Sequence, residues 1–452
     1  LCSFGGMAWA ADTTTGAGNG VAIGTSSNAP KVENVAIGKG AGISYSNGAS
    51  NATGDIVVGN GANINNYASQ GGSVAIGKNA KVENMAGGGE ASFAFGQTTF
   101  SGSWWSSARI PADPTKVVGS VAIGDNTFAR TGSTMIGSHN YKGALGDTTV
   151  DSTSTRTDAL NVYATTIGAN SFSNGAFTTS TGVYNIISSD YNGGRLANPV
   201  KNLGATINGS LNSIEGMSGN YYSGIANTVS GVANRTFNSN GSLIYGAGNE
   251  ITNSVTSLSS VPTDSGSSAK DFAEKLRTAI TSSESGGATL AIGGGNKADY
   301  TQKTSIIGVN NTITGTSEKV SQLNFVSGFK NTITNASSNI VMGDKHTVTA
   351  DNTVAIGGLS SADTRSVANT TSVGYDTKVN KEGGVALGYK SNATVDKGAT
   401  GYDLSVNGAS SETNSTWKST AAAVSVGDVA NNITRQITSV AAGTNDTDAV
   451  NV

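Results

Sequence analysis

A short repeat built on Val-Ala-Ile-Gly constrains the fold of this chain more than any other feature. Near-copies such as Ser-Ile-Ile-Gly at 305–308 and Val-Ala-Leu-Gly at 385–388 extend the repeat along the 452 residues. Several neighbouring glycines lie 13 to 15 residues apart, and self-similarity at a short fixed period indicates a repeat architecture. The exact tetrapeptide occurs at 21–24, 35–38, 74–77, 121–124 and 354–357.

A second element follows the glycine. Five residues after it a β-branched residue recurs, as in Gly308 and Ile313, within Asn-Thr-Ile-Thr at 311–314. This alternation predicts a second short strand with one buried face. The glycine supplies the positive φ that a reversal of the chain requires. The turn glycines singled out are Gly24, Gly38, Gly77, Gly124, Gly308, Gly343, Gly357 and Gly388.

One repeat is therefore a strand, a turn, a strand and a turn in about 14 residues, which predicts an all-β, two-sheet parallel β-solenoid, or β-roll. Coils would stack at about 4.8 Å, so that every backbone group finds a partner. We expect Val74 and Ile76 to face the core and Ala75 to face outward. A flat face of alanines would then pack against identical chains, although alanine could also simply suit a solvated sheet.

The repeat occupies 11–422 and is interrupted by insertions near 97–119, 138–163, 172–203 and 252–288. In the last, Phe272, Leu276 and Ile280 lie four apart, which predicts a short helix. Insertions leave a solenoid as surface loops and often bind partners. The candidate binding residues are aromatic, although Trp104 and Trp105 could instead pack their loop onto the roll; the full set is Trp104, Trp105, Tyr141, Tyr184, Tyr191, Tyr221 and Tyr222.

The composition argues against catalysis, a cofactor or a metal. Charged residues are 13% of the chain, and no motif for a nucleophile, nucleotide or zinc site is present. Two histidines and one cysteine cannot build a zinc cluster. His346 replaces Asn in the repeat text and is predicted to lie in a surface turn. A net charge of −3 does not indicate nucleic-acid binding.

The first residues suggest secretion. Ala8-Trp9-Ala10 fits a small-x-small cleavage site, so residues 1–10 are interpreted as the remnant of a signal peptide. Cleavage there would remove Cys2 and leave a chain without disulfides.

The repeat strongly resembles the YadA-like head of trimeric autotransporter adhesins of Gram-negative bacteria, and residues 423–452 resemble that family's neck. The matching neck text includes Arg435, Gln436, Ile437, Val440, Asp446 and Asp448. The resemblance implies a left-handed parallel β-roll, a homotrimer of rolls packed side by side, and a neck leading to a coiled-coil stalk. We expect the stalk and a C-terminal membrane anchor to lie beyond Val452.

The resemblance also implies a function. It predicts a virulence-associated adhesin head displayed on the bacterial outer-membrane surface, which binds a host receptor, such as an immunoglobulin-like one, or an extracellular-matrix protein. The alternative is a trimeric β-solenoid enzyme that degrades polysaccharide, which would need clustered carboxylates. Ice binding would need unbroken Thr-x-Thr arrays, and here Thr alternates with Asn, Ser and Lys.

Overall fold

The computed structural model divides the chain into two compact units. Unit 1 comprises 1–248 with 255–287, and unit 2 comprises 249–254 with 288–452. The structure describes residues 16–45, 53–66, 71–84, 97–101, 108–111, 119–138, 162–189, 200–217, 220, 222–256, 258, 260–262, 268–284, 286–445 and 447–449.

The described part of unit 1 consists of short strands and one helix, α1, at Ala269–Ser282. Its strands, β1 to β21, are Val21–Ile23, Val35–Ile37, Gly42–Tyr45, Ile56–Val58, Asn63–Asn66, Val74–Ile76, Lys81–Asn84, Gln97–Ser101, Ala108–Pro111, Val121–Ile123, Phe128–Arg130, Thr134–Ser138, Thr165–Ala169, Phe172–Ser173, Thr179–Thr181, Ile186–Ser189, Thr206–Ser210, Ser213–Gly216, Thr228–Val232, Arg235–Phe237 and Leu243–Ala247.

Unit 2 continues the same alternation and ends in a short 3₁₀ turn at Val429–Asn431. Its strands, β22 to β41, are Glu250–Thr252, Thr289–Gly294, Lys297–Asp299, Thr301–Gln302, Thr304–Val309, Thr312–Thr314, Ser321–Gln322, Phe325–Phe329, Thr332–Thr334, Ile340–Asp344, His346–Val348, Val354–Ile356, Asp363–Arg365, Thr371–Val373, Lys378–Val379, Val385–Leu387, Asn392–Ala393, Tyr402–Asp403, Gly408–Ala409 and Val424–Ser425.

In each unit the strand before the turn glycine joins one parallel sheet, the main sheet, and the strand after it joins a facing sheet. The repeat text sets the pairing, since Val21, Ala22 and Ile23 pair with Val35, Ala36 and Ile37. In the facing sheet, Ile313 pairs in the same way with Ile333. The predicted all-β parallel solenoid is confirmed. The side-by-side trimer stays a prediction.

The predicted direction of the Val-Ala-Ile side chains is wrong. Ala75 is completely buried, whereas Ile76 is 37% exposed. Alanine suffices inside these coils because the facing sheet fills the interior with larger side chains, including Ile43 and Ile64. The flat outward face of alanines therefore does not exist, and the outward face of the main sheet carries valine and isoleucine.

The boundaries of the insertions also differ from the prediction. Residues 172–189 were assigned to an insertion, but β14, β15 and β16 lie there and pair in parallel with solenoid strands. These strands lack the Val-Ala-Ile-Gly text, which is why the repeat does not reveal them. In contrast, an unpredicted excursion leaves the solenoid after Ala393 and returns at Val424, and it contains the antiparallel pair β39 and β40.

Helix α1 lies inside the predicted insertion 252–288. Its N-cap is Ser268, whose Oγ accepts a hydrogen bond from the Asp271 backbone N–H. Phe272 and Ala279 are buried, and the Phe272 ring stacks on Phe177 with centroids 5.0 Å apart. The helix thus closes an apolar cluster in unit 1. No helix among the described residues is long and apolar enough to cross a membrane.

Candidate interaction surfaces

The outward face of the main sheet carries a row of exposed apolar side chains, which we call the apolar stripe. In unit 1 its members with at least 36% exposure are Val21, Ile23, Ile56, Ile76, Ile136, Ile167, Leu243 and Tyr245. In unit 2 they are Ile307, Phe325, Ile340, Met342, Ile356, Val373, Leu387 and Val424.

The strand register aligns the members of the stripe along the last coils of unit 2. Met342 pairs with Ile356, which pairs with Val373, and Val373 pairs with Leu387. Parallel neighbours lie about 4.8 Å apart, so these side chains touch along the sheet. Scattered exposed apolar residues are normal, but a contiguous exposed apolar patch marks an interaction surface.

A ladder of buried asparagines holds the turns between the two sheets in position. Asn311 is completely buried, and its Nδ2 donates to the Gly328 carbonyl oxygen at 2.9 Å. Its Oδ1 accepts from the Asn331 backbone N–H at 3.1 Å and from Asn331 Nδ2 at 3.0 Å. The same pattern recurs within unit 1 at Asn185, Asn212 and Asn234, and within unit 2 at Asn249, Asn296, Asn311 and Asn331.

His346 ends this ladder in unit 2, and the prediction that it lies in a surface turn is wrong. It is only 1% exposed, and its Nε2 donates to the Gly357 carbonyl oxygen where the asparagines use Nδ2. Its Nδ1 accepts from Arg365 Nε at 3.1 Å, which assigns the proton to Nε2. Burial, and then the Arg365 charge, lower the pKa of His346 to about 4.

Arg365 takes a core position of the facing sheet, in register with Val348. It is 7% exposed, and its Nη2 donates to the Thr377 carbonyl oxygen at 3.1 Å. Burial lowers the pKa of Arg365. Sequence analysis missed this buried pair, and the only available signal was an arginine at a position where the repeat places isoleucine or valine.

A buried carboxylate lies in unit 1. Asp55 is completely buried, and its Oδ1 accepts from the Ser73 backbone N–H at 3.0 Å. Its Oδ2 accepts from Asn66 Nδ2 at 2.8 Å, and the Tyr45 hydroxyl lies 3.4 Å away. Burial raises the pKa of Asp55 to about 6 and that of Tyr45 to about 12. These contacts tie successive turns together.

A polar groove of about 590 Å³ lies in unit 2 between the last coils and residues 428–433. Its charged groups bind one another or neighbouring polar groups. Lys378 Nζ lies 3.8 Å from Asp363 Oδ2, and Asp376 Oδ1 accepts from the Ser360 backbone N–H at 2.6 Å. Asp428 Oδ2 accepts from Asn431 Nδ2 at 2.7 Å. Among the described residues no cluster of three or more His, Cys, Asp or Glu could hold a metal.

The predicted aromatic binding residues are only partly visible. Tyr184 is 46% exposed at a turn with a φ of 56°. Tyr222 packs against the apolar cluster that contains Leu203 and Ile225. The remaining candidates, Trp104, Trp105, Tyr141, Tyr191 and Tyr221, lie outside the described residues.

The predicted neck packs against the last coil through Arg435. Its guanidinium donates to the Tyr389 carbonyl oxygen at 2.6 Å, to Ser391 Oγ at 3.1 Å and to the Val426 carbonyl oxygen. Asp448 Oδ2 accepts from the backbone N–H groups of Thr444 and Asn445. Of the other neck residues, Val440 is half-buried, Gln436 is exposed, Ile437 is 69% exposed and Asp446 lies outside the described residues.

The turn glycines share one backbone conformation. Their φ angles lie between 96° and 145°. At Gly308, a Cβ atom would lie 2.0 Å from the Gly328 carbonyl oxygen. At seven of the eight the next coil packs directly on the turn in this way, whereas a Cβ atom at Gly388 would lie 3.2 Å from the guanidinium carbon of Arg435. The eight are Gly24, Gly38, Gly77, Gly124, Gly308, Gly343, Gly357 and Gly388.

Comparison with known proteins finds one significant relative, over a short stretch. Over 68 residues the chain is 56% identical to autotransporter adhesin BadA of Bartonella henselae. The predicted resemblance to autotransporter adhesins is confirmed. The matched stretch is 15% of this chain and 2% of BadA, so the chain spans a small part of that adhesin. No protein-family model matches.

Proposed function

We propose that this chain is the head of a cell-surface adhesin and that three copies assemble side by side through the apolar stripe. The stripe is the observation that carries the proposal. Residues such as Ile307 and Ile356 are more than a third exposed in the single chain, and apolar surface in a contiguous row is stabilised by burial against another protein. The name of the relative, autotransporter adhesin, supports the adhesive role.

The finer proposal concerns the partner and the location. The head binds a host-cell receptor, such as an immunoglobulin-like one, or a matrix protein, and it is displayed at the bacterial outer-membrane surface. The insertions are the best candidates for the contact, because loops on a repeat scaffold vary freely and often bind partners. Three copies on one head would add avidity to weak individual contacts. Neither the relative nor the described geometry supports the polysaccharide-degrading alternative.

Sedimentation equilibrium tests the assembly. We expect the parent chain to have three times the monomer mass of 45.1 kDa. The double variant Ile307→Lys/Ile356→Lys should be monomeric, because it places charges in the buried interface. Both side chains point outward in the monomer, so circular dichroism should show the parent's β-structure. A trimer that survives both lysines would contradict the proposed interface.

The matched control places the same two charges on the facing sheet. Thr332 and Thr347 are outward, half-buried positions of that sheet, one turn apart and in register. Thr332→Lys/Thr347→Lys should therefore remain trimeric. Dissociation of this control would show that added charge alone, and not its position, disrupts the assembly.

Cell binding tests the adhesive role. Beads coated with the trimer should bind cultured host cells more than beads coated with the monomeric Ile307→Lys/Ile356→Lys variant. The variant Trp104→Ala/Trp105→Ala tests whether the 97–119 insertion contacts the host cell. We expect reduced cell binding at an unchanged sedimentation mass. Equal binding by the parent and by uncoated beads would contradict the adhesive function.

A further inference from the structure

The apolar stripe of unit 1 is interrupted over three consecutive coils. In β15, β17 and β19 the outward positions of the main sheet are polar. They form two columns in register, Thr179, Thr206 and Thr228 in one, and Thr181, Asn208 and Ser230 in the other. We call these six residues the polar segment.

The column of Thr181, Asn208 and Ser230 has apolar boundaries on both sides, whereas the threonine column continues on one side through Thr165 and Thr134. On one side Thr181 pairs with Ile167, which is 43% exposed. On the other side Thr228 and Ser230 pair with Leu243 and Tyr245, which are 40% and 63% exposed. The stripe therefore changes from apolar to polar and back within a few coils of one unit.

The interior remains closed beneath the polar segment. Between the outward positions of the same three strands lie Ser180, Ile207 and Val229, which are completely buried. The interior is thus closed here as in the neighbouring coils, and the solenoid itself is not interrupted. A closed interior does not require polar groups on the outside, and Thr181, Asn208 and Ser230 stand in the column where β10, β12 and β13 carry isoleucine, namely Ile123, Ile136 and Ile167.

A uniform stripe would not determine how two copies align along their length. Coils repeat every 4.8 Å or so, so a second copy shifted by one coil would again place valine and isoleucine against valine and isoleucine. Regular interfaces avoid this degeneracy by including polar positions that match only in one alignment, as a single buried asparagine does in a coiled coil.

We propose that the polar segment sets the axial alignment of the assembled copies and that its occupant is the polar segment of a second copy. This inference rests on the proposed trimer. In the unshifted alignment, Thr181, Asn208 and Ser230 face their own counterparts, where hydroxyl and amide groups can bond to one another or to shared water. A shift of one coil places Ile167 or Tyr245 against polar groups and leaves those groups without partners.

The test measures alignment separately from assembly. Chains that carry Ile76→Cys and chains that carry Ile123→Cys, both with Cys2→Ser, are refolded together and oxidised. These two positions lie one coil apart and in register. Disulfides between like positions, 76 with 76 or 123 with 123, report the unshifted alignment. Disulfides between unlike positions, 76 with 123, report a shift of one coil. Mass spectrometry of the linked peptides distinguishes the two.

The parent background should give mainly like-position disulfides. In the background Thr181→Ile/Asn208→Ile/Ser230→Ile, which continues the apolar stripe, we expect a several-fold rise in unlike-position disulfides at unchanged trimer mass. The polar-for-polar control Thr181→Ser/Asn208→Ser/Ser230→Thr should behave as the parent.

An unchanged disulfide ratio in the triple isoleucine background would overturn the inference while leaving the trimer intact. Loss of the trimer in that background would also overturn it, because a longer apolar stripe should hold three copies at least as well. A monomeric parent chain would overturn the proposed function itself, and sedimentation of the parent detects that outcome independently of the disulfides.

Discussion

At the scale of single residues, the narrow interior of the roll decides what each position tolerates. Alanine occupies the inside of the Val-Ala-Ile-Gly coils, glycine occupies the turn that the next coil covers, and a neutral histidine caps the asparagine ladder. His346 is the most constrained of these. Its Nδ1 faces the Arg365 guanidinium, so a second proton would place two buried positive charges side by side.

The charge of His346 predicts a loss of stability in acid. The folded-state pKa, about 4, lies below the unfolded-state value of 6.5, so the unfolded chain takes up the proton first. The contribution of neutral His346 to the free energy of unfolding is complete above pH 6.5. It is lost as the pH falls toward 4, by about 3 kcal/mol in total.

Urea unfolding of unit 2 at several pH values measures this. His346→Asn restores the ladder residue and should flatten the pH dependence between 6.5 and 4. Thr347→Ala, which changes the neighbouring outward side chain, should keep the parent's slope. An equal slope in the parent and in His346→Asn would show that His346 is not the group responsible.

Turn glycines predict a large contrast between two chemically identical substitutions. Gly308→Ala would place a Cβ atom 2.0 Å from the Gly328 carbonyl oxygen at a φ of 128°, whereas a Cβ atom at Gly383, with a φ of 73°, meets nothing within 4 Å. We expect losses of more than about 3 kcal/mol and about 1 kcal/mol, respectively, in free energy of unfolding. Thermal melts of the two variants compare them, and similar melting temperatures would contradict the account of the turn.

At the scale of elements, the asparagine ladder connects strands that are too short to be stable alone. Most strands have three to five residues, and each is held by backbone pairing to the coils before and after it. The ladder adds side-chain bonds at the one place where backbone pairing is interrupted, which is the turn. Successive asparagines share acceptors, so the bonds support one another along the unit.

The ladder predicts that a single interior asparagine carries substantial stability. In Asn311→Ala, the backbone N–H and the Nδ2 of Asn331 lose their shared acceptor, Asn311 Oδ1. The Gly328 carbonyl oxygen loses its donor, Asn311 Nδ2. We expect a loss of about 3 kcal/mol. Thr312→Ala, one residue further on the outward side, should cost less than about 1 kcal/mol. Chemical denaturation measures both, and equal losses would contradict a special role for the ladder.

At the scale of the whole molecule, the outward face of the main sheet determines which surface the chain can bury when it associates with another copy. Valine and isoleucine carry no charge, so an assembly through them is stabilised by the hydrophobic effect and not by ion pairs. Exposed ion pairs such as that of Lys381 and Asp396, 3.9 Å apart, contribute little by comparison.

Because the hydrophobic effect would stabilise the proposed trimer, we expect that salt does not dissociate it. Between low ionic strength and about 1 M NaCl, where the Debye length falls to about 3 Å, the sedimentation mass should stay constant. Dissociation on raising the salt would show that charges, and not the apolar stripe, hold the copies together. The monomeric Ile307→Lys/Ile356→Lys variant gives the reference mass at each salt concentration.

The repeat in the sequence was enough to predict the solenoid. Glycines at 13 to 15 residues with alternating strands on either side leave few other ways to satisfy the backbone. It was also enough to predict the helix in the 252–288 insertion, because Phe272 and Leu276 lie on one helical face. The strands at 172–189 were missed because Thr179-Ser-Thr181 carries none of the repeat's apolar residues.

What only the tertiary structure decided is which face of each strand points inward. Alternation shows that two faces differ, but it is symmetric and does not say which one is buried. The width of the gap to the facing sheet decides this, and Ile43 and Ile64 fill that gap so that Ala75 lies inside and Ile76 outside. The buried His346–Arg365 pair is likewise set by what packs around it. The sequence by itself determined the architecture, because periodicity is a local property of the chain, and the packing of distant turns determined the surface that the chain presents.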